Sequence, residues 1–158
     1  MSAIIGIDPG ISGALALVTQ APKWNIEVVD IPTLEVNGRR RVDMHGLLRQ
    51  LRTWAMLADV RSAWIEDVGA MPGQASMFPF GFACGAAQMA IVAAELPLML
   101  ATPQKWKKHY GLKGGKDNKD QSRLLASRMF PTHAHLWARK KDDGRAEAVL
   151  LANYGGLQ

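Results

Sequence analysis

The sequence predicts an α/β fold, a mixed five-stranded sheet of three antiparallel strands followed by parallel strands, with helices on both faces. Three observations predict it. Residues 3–31 hold three short apolar runs separated only by turn signals; the apolar spacing changes from strand to helix period at Asp43; and beyond that point short strands alternate with helices.

The first strand is residues 3–8, an apolar run that carries Asp8 into Pro9-Gly10; the second is residues 13–18 and the third 25–31, after Ala21-Pro22-Lys23. A meander of this kind pairs antiparallel. From Asp43, Met44, Leu47, Leu48, Leu51, Trp54 and Leu57 or Ala58 form a helical stripe with Arg49, Arg52 and Arg61 off it. Residues 62–66 form a short strand ending in Glu66. Residues 69–79, rich in Gly, Pro and Met, read as a long functional loop. A helix over 81–95 carries many small side chains, a face suited to close packing against the sheet or a second subunit. Residues 97–100 form another buried strand, Thr102-Pro103 opens a short helix, and Asp117 or Asn118 caps a helix that ends before Pro131. The last helix runs over 142–154 and closes at Gly155-Gly156. This element order resembles the RNase H-like fold.

A chain of 158 residues fits one domain, 1–158, with a full hydrophobic core. The single cysteine, Cys84, excludes a disulfide framework and a cysteine-based zinc site, and cytoplasmic residence is expected. The apolar stretch over 83–100 is broken by Gln88, Glu95 and Pro97, which argues against a membrane span. The formal charge is +5 with a pI near 9.6. Its excess is concentrated in two places. Arg39, Arg40 and Arg41 follow Asn37-Gly38, a hairpin or loop tip. Lys105, Lys107, Lys108, Lys113, Lys116 and Lys119 crowd a segment that also holds Trp106, His109 and Tyr110. Basic residues interleaved with aromatics suit a nucleic-acid backbone with its bases nearby.

Acids punctuate this order. Asp8 ends the first strand, Glu66 ends the fourth, and Asp142, Asp143 and Glu147 open the last helix. Asp143 and Glu147, four residues apart, share one helix face and are separated by about 6 Å along the axis. Singly, each acid has an ordinary use as a turn residue, an arginine partner or a helix N-terminal acid. Together they sit at three points that this topology brings close, and their repulsion becomes attraction around a divalent cation. Oxygen donors without Cys favour magnesium or manganese, and two such ions about 4 Å apart serve in-line phosphodiester hydrolysis. His133 and His135, with no third soft ligand nearby, read as surface or loop residues.

Ile5-Gly6-Ile7-Asp8-Pro9-Gly10, Trp64-Ile65-Glu66, Lys119-Asp120-Gln121 and Asp143 with Glu147-Ala148 follow one another across nearly the whole chain. In that order they resemble the motifs of the RuvC-type Holliday junction resolvases. Met71-Pro72-Gly73-Gln74 and the run from Asp143 to Ala148 resemble the phage and plant chloroplast branch more closely than the bacterial enzyme. The resemblance implies a homodimeric, magnesium-dependent endonuclease of DNA recombination and repair. It would nick two opposed strands of a four-way DNA junction symmetrically, with two Mg2+ per active site and Mn2+ able to substitute. A phage source would place it in the cytoplasm of a bacterial host.

By that resemblance Asp8, Glu66, Asp143 and Glu147 are the catalytic metal ligands, and Lys119 is the catalytic cation beside the scissile phosphate. Lys107 matches a second family lysine, with Lys105 and Lys108 competing for the alignment. DNA contacts are expected from Arg39, Arg40, Arg41, Lys105, Lys107, Lys108, Lys116, Met77, Phe78 and Phe80. The bacterial enzyme's wedge aromatic is replaced here by Gly69, and Phe78 is the expected substitute, although the same Met and Phe residues also suit a core or a dimer interface. The final acid is Glu, one residue later than the family's Asp, which leaves Asp142 and Asp143 both open as the ligand beside it. Other readings of the same fold are a nuclease acting on RNA or simple branched DNA, and a non-catalytic protein that binds nucleic acid or a nucleotide.

Overall fold

The computed structural model describes residues 2–19, 24–69, 77–113 and 120–158. Five strands form the main sheet in the order β3-β2-β1-β6-β7, and β4 and β5 form a separate hairpin. The strands are β1 (Ser2–Asp8), β2 (Ala14–Thr19), β3 (Asn25–Asp30), β4 (Thr33–Val36), β5 (Arg39–Val42), β6 (Asp59–Glu66) and β7 (Leu98–Ala101). The helices are α1 (Met44–Leu57), α2 (Met77–Ala93), α3 (Pro103–His109), α4 (Asp120–Met129) and α5 (Asp143–Gly156), with 3-10 turns over Pro131–Trp137 and Lys140–Asp142. β1 pairs antiparallel with β2 and β2 with β3, whereas β1–β6 and β6–β7 are parallel. The mixed sheet is thus the expected one.

The period of two along β1 and its neighbours builds two cores, one on each face. Ala3, Ile5, Ile7, Leu15, Leu17, Ala63 and Ile65 join Leu47, Leu51 and Trp54 of α1 and Ala83, Ala87 and Ile91 of α2. Ile4, Ala14, Ala16, Val18 and Trp64 join α5, α4, Trp106 of α3 and Trp137. Because β1 is central and covered on both sides, it is apolar without alternation. Each large aliphatic side chain buried here contributes roughly 1.5–3 kcal/mol.

Gly6 decides how closely the second layer approaches. A Cβ at this position would overlap the backbone of Ala148 and Ala152, so α5 crosses β1 with no side chain between them. That crossing explains why α5 is buried almost all round, including Asn153, whose amide oxygen accepts from Tyr110 Oη at 2.6 Å. α1 begins where expected: Asp43 caps it by accepting from the Gly46 N–H at 2.9 Å.

Several elements differ from the sequence expectation. β6 begins at Asp59, which puts Arg61 on a strand, and β7, expected buried, leaves Met99 and Leu100 exposed. Residues 33–42 form the β4–β5 hairpin, turning at Asn37 and Gly38, both with positive φ. The turn signal was legible, but these four-residue strands are mostly exposed, with only Val42 reaching the core, and carry no apolar alternation. α2 starts at Met77, so residues 77–79, expected in the loop, lie on its first turn; residues 70–76 lie outside the described residues. Pro131–Trp137 is a 3-10 helix that buries Trp137 and leaves His133 and His135 at the periphery. Among the described residues no helix is long and apolar enough to cross a membrane.

Candidate metal centre

β1 and β6 are parallel neighbours, so their C-terminal ends lie side by side and each ends in an acid. α5 packs back across both strands and brings the next acid onto the same spot. Asp8, Glu66 and Glu147 each offer a carboxylate oxygen within 4.8 Å of the others. Asp143, one turn before Glu147, lines a cavity of about 360 Å3 together with Asp8, the turn after it, and Phe80.

Arginines distinguish the surroundings of Asp142 from those of Asp143. Asp142 is buried and accepts from the backbone N–H of Arg139 at 3.0 Å and from its guanidinium at 2.8 Å. Arg145 lies 4.0 Å from Asp142 and clamps Asp30 of β3 with two bonds, 2.7 and 2.9 Å. The Arg139 bonds hold the Asp142 carboxyl below its ordinary value, as those of Arg145 hold Asp30. Asp142 is therefore engaged in closing the helix start, and Asp143 is the acid on the cleft.

Gly144 is built into this arrangement. A Cβ there would stand 2.6 Å from Asp8 Oδ2 and 3.3 Å from Gly13 Cα, so only glycine lets the start of α5 press against the Asp8 carboxylate.

Crowded acids carry their signature. Burial, then Glu147 and Glu66, push the Asp8 carboxyl well above its ordinary value, against the pull of Lys107. Burial is also the main cause of the raised Glu66 value. Lys107 answers this charge: its Nζ lies 3.1 Å from Glu147 Oε1 and 3.7 Å from Glu66 Oε1. Burial alone would lower the Lys107 value, but Glu147 and Glu66 outweigh it and raise it. Burial, with Asp8 and Glu66 nearby, pushes the Cys84 thiol up to about 11, so it is neutral at physiological pH.

Of the three competing lysines, Lys107 is the one that enters the acidic cluster, while Lys105 and Lys108 are exposed on α3. Lys116 and Lys119 lie outside the described residues. Trp106 corrects the surface reading of this segment. It is fully buried and unavailable to stack on a base, and its Nε1 donates to Glu66 Oε1 at 2.8 Å. Ser122 of α4, also buried, donates to Glu147 Oε1 at 3.0 Å. Sequence reasoning passed over both. The available signals were Ser122 on the stripe with Ala126 and Phe130, and a Trp one position before a lysine in a helix opened by Thr102 and Pro103.

The arginine hairpin adjoins the site. Arg40 Nη2 donates to the Ile11 carbonyl at 3.0 Å, pinning β5 to the turn after Asp8. A second cavity, about 250 Å3, lies between Arg39, Arg40 and Arg41 on one side and Phe78 and Phe82 on the other, and shares Ile11 and Pro79 with the first. Phe78 is 83% exposed, whereas Met77 and Phe80 are partly buried.

No family model matches the chain, and no curated protein matches it by sequence. Solved structures do. Thermus thermophilus RuvC in complex with a Holliday junction substrate superposes with a TM-score of 0.63 at 19% identity, over 99% of this chain and 96% of that one. The fold is RNase H-like and matches RuvC. A second structure of Thermus thermophilus RuvC gives 0.56 at 19% identity, over 98% of this chain and 96% of that one. Yeast mitochondrial Holliday junction resolvase Ydc2 gives 0.57 at 17% identity, over 96% of this chain and 76% of that one. Structural similarity to these resolvases thus covers nearly the full length, and the acidic centre lies where β1, β6 and α5 of this fold converge.

Proposed function

We propose that the chain is a Holliday junction resolvase, a metal-dependent endonuclease that nicks four-way DNA junctions symmetrically as a homodimer. The observation that carries this reading is the convergence of Asp8, Glu66 and Glu147 from three separate elements of a RuvC-like fold. An all-oxygen donor set in which burial raises the Asp8 and Glu66 carboxyls fits Mg2+ or Mn2+. Asp8, Glu66 and Glu147 would hold the metal, with Asp143 completing the set on the Asp8 side. Two such ions, when bound, supply a hydroxide nucleophile and neutralise the leaving oxygen in an in-line displacement.

The remaining steps belong to side chains. Lys107 balances the acid charge and offers its ammonium to a phosphate entering the centre; Lys119, from the motif preceding α4, takes the family's place beside the scissile phosphate and stabilises the charge gathering on it. Arg39, Arg40 and Arg41 flank the same cleft and suit the backbone on one side of the cut, with Lys105, Lys108 and Lys116 as further phosphate contacts. Phe78, exposed beside the arginines, would wedge between bases at the branch; its exposure supports that reading. Phe82, Met89 and Val92 of α2 are exposed apolar residues on one helix face, suited to the pairing that two symmetric cuts require.

The test is magnesium-dependent cleavage of a synthetic four-way junction, compared with linear duplex, simple branched DNA and an RNA–DNA hybrid, with Asp8→Asn as control. Selective cutting of the junction, abolished in Asp8→Asn while junction binding persists, is expected. Equal cutting of all substrates would remove the resolvase reading, and cleavage retained by Asp8→Asn would remove the acidic centre from the chemistry.

A further inference from the structure

We propose that Trp106 is a positioning residue of the acidic centre, holding Glu66 by its indole N–H and Lys107 by its ring face. This rests on the metal-dependent reading above. Three observations meet at this side chain. It is fully buried, and its Nε1 donates to Glu66 Oε1 at 2.8 Å. The Lys107 ammonium lies 5.0 Å from the centroid of the same ring while contacting both Glu66 and Glu147. Tyr110 packs edge-on against the ring at 6.4 Å and sends its hydroxyl to the Leu150 carbonyl and Asn153 on α5, the helix that carries Glu147.

An indole is suited to this place. It offers one donor and no acceptor, keeps its proton at every physiological pH, and adds no charge to a centre that must attract a cation. Of the two Glu66 oxygens it marks one, which sets the rotation of the carboxylate and the oxygen presented to a ligand. The cation–π contact limits the reach of Lys107 in the same way. One rigid ring thereby ties together the acid on β6, the cation on α3 and, through Tyr110, the frame of α5.

A buried indole also needs an acceptor for structural reasons alone, and the protein contains a matched comparison. Trp54, equally buried, donates from Nε1 to Glu27 Oε2 at 2.9 Å on the α1 side of the sheet, away from the acidic centre. The two bonds pair the same donor and acceptor types, but Glu66 is buried in the acidic centre whereas Glu27 is exposed and remote from it.

Trp106→Phe keeps an aromatic ring, smaller than the indole, and removes the donor; Trp54→Phe makes the same change at the control site. Mn2+ binding without DNA, read from the electron paramagnetic resonance of the free ion, is followed by junction cleavage titrated with Mn2+ and junction binding measured without a divalent ion. Trp106→Phe is expected to weaken Mn2+ binding about tenfold or more. The Mn2+ requirement for cleavage should shift equally, with junction binding unchanged and Trp54→Phe like wild type. Unaltered Mn2+ binding in a folded Trp106→Phe protein, or an equal loss in Trp54→Phe, overturns the proposal. If the phenylalanine variant does not fold, 3-benzothienylalanine at position 106, isosteric with sulfur in place of the N–H, provides the same comparison. Wild-type Mn2+ binding that Glu66→Gln does not disturb would instead defeat the metal reading itself, and the positioning role with it.

Discussion

Gly144 and Lys107 show how single positions set this centre. Alanine is the better helix former by about 1 kcal/mol, so Gly144→Ala gains local helix stability. Its Cβ, however, claims the space 2.6 Å from Asp8 Oδ2 and displaces the carboxylate. The expected result is a folded protein that binds the junction normally and cleaves it about tenfold or more slowly, measured in single-turnover reactions. An unchanged rate would mean that Asp8 has room to yield. Lys107 predicts a different split. Lys107→Ala removes a cation from between Glu66 and Glu147 and should lower the cleavage rate with little effect on junction affinity. Lys105→Ala and Lys108→Ala, on the exposed side of α3, should instead weaken binding uniformly and reduce its logarithmic salt slope by about 1 each. The acids Asp8 and Glu66 were legible from strand ends, and Glu147 from helix spacing. Trp106 and Ser122 were not, because a donor to a carboxylate 40 and 25 residues away leaves no local pattern.

The start of α5 is held by an arginine–aspartate chain, and its pH dependence has a definite sign. Asp142 and Asp30 both titrate below the ordinary value of 3.8 in the folded chain, through bonds from Arg139 and Arg145 respectively. A lowered folded value means that the unfolded chain binds more protons, so the stabilisation is present above 3.8 and is lost as the pH falls through the lowered values. Urea midpoints measured on acidification should therefore drop, and Asp142→Asn should flatten that limb while reducing stability at neutral pH. A limb of unchanged steepness in Asp142→Asn would place the acid sensitivity elsewhere. At this scale the strands of the main sheet were legible because burial on one or both faces writes its period into the side chains. The β4–β5 hairpin escaped as strands because its exposed residues answer to no core, and the helical status of residues 77–79 escaped because Pro79 in the first turn of a helix looks the same, locally, as Pro in a loop.

Across the whole molecule, the centre trades stability for affinity. Asp8 and Glu66 titrate above their ordinary 3.8 and 4.5 in the folded chain, burial being the main cause for both and Glu147 repelling each. The folded state therefore holds protons that the unfolded state has released, and metal-free stability should fall as pH rises through the raised values. On the metal-dependent reading, a divalent cation would replace those protons. The thermal stabilisation by Mg2+ should grow with pH and reach about 2.7 kcal/mol when free Mg2+ is about 100 times its dissociation constant. Asp8→Asn should raise metal-free stability and abolish the Mg2+ effect; a stabilisation by Mg2+ that is independent of pH would mean the ion binds elsewhere. By itself, the sequence determined the order of the main-sheet strands and the helices, the mixed sheet, two acids at strand ends and a third near the start of the last helix, because burial period and punctuation are local properties of a chain. Only the tertiary structure decided that Asp142 serves the arginines and Asp143 the cleft, that Lys107 among three lysines meets the acids, and that Trp106 is an internal donor. Those assignments depend on which side chains α5 and α3 bring against the ends of β1 and β6, and that depends on the closeness of packing that Gly6 and Gly144 allow.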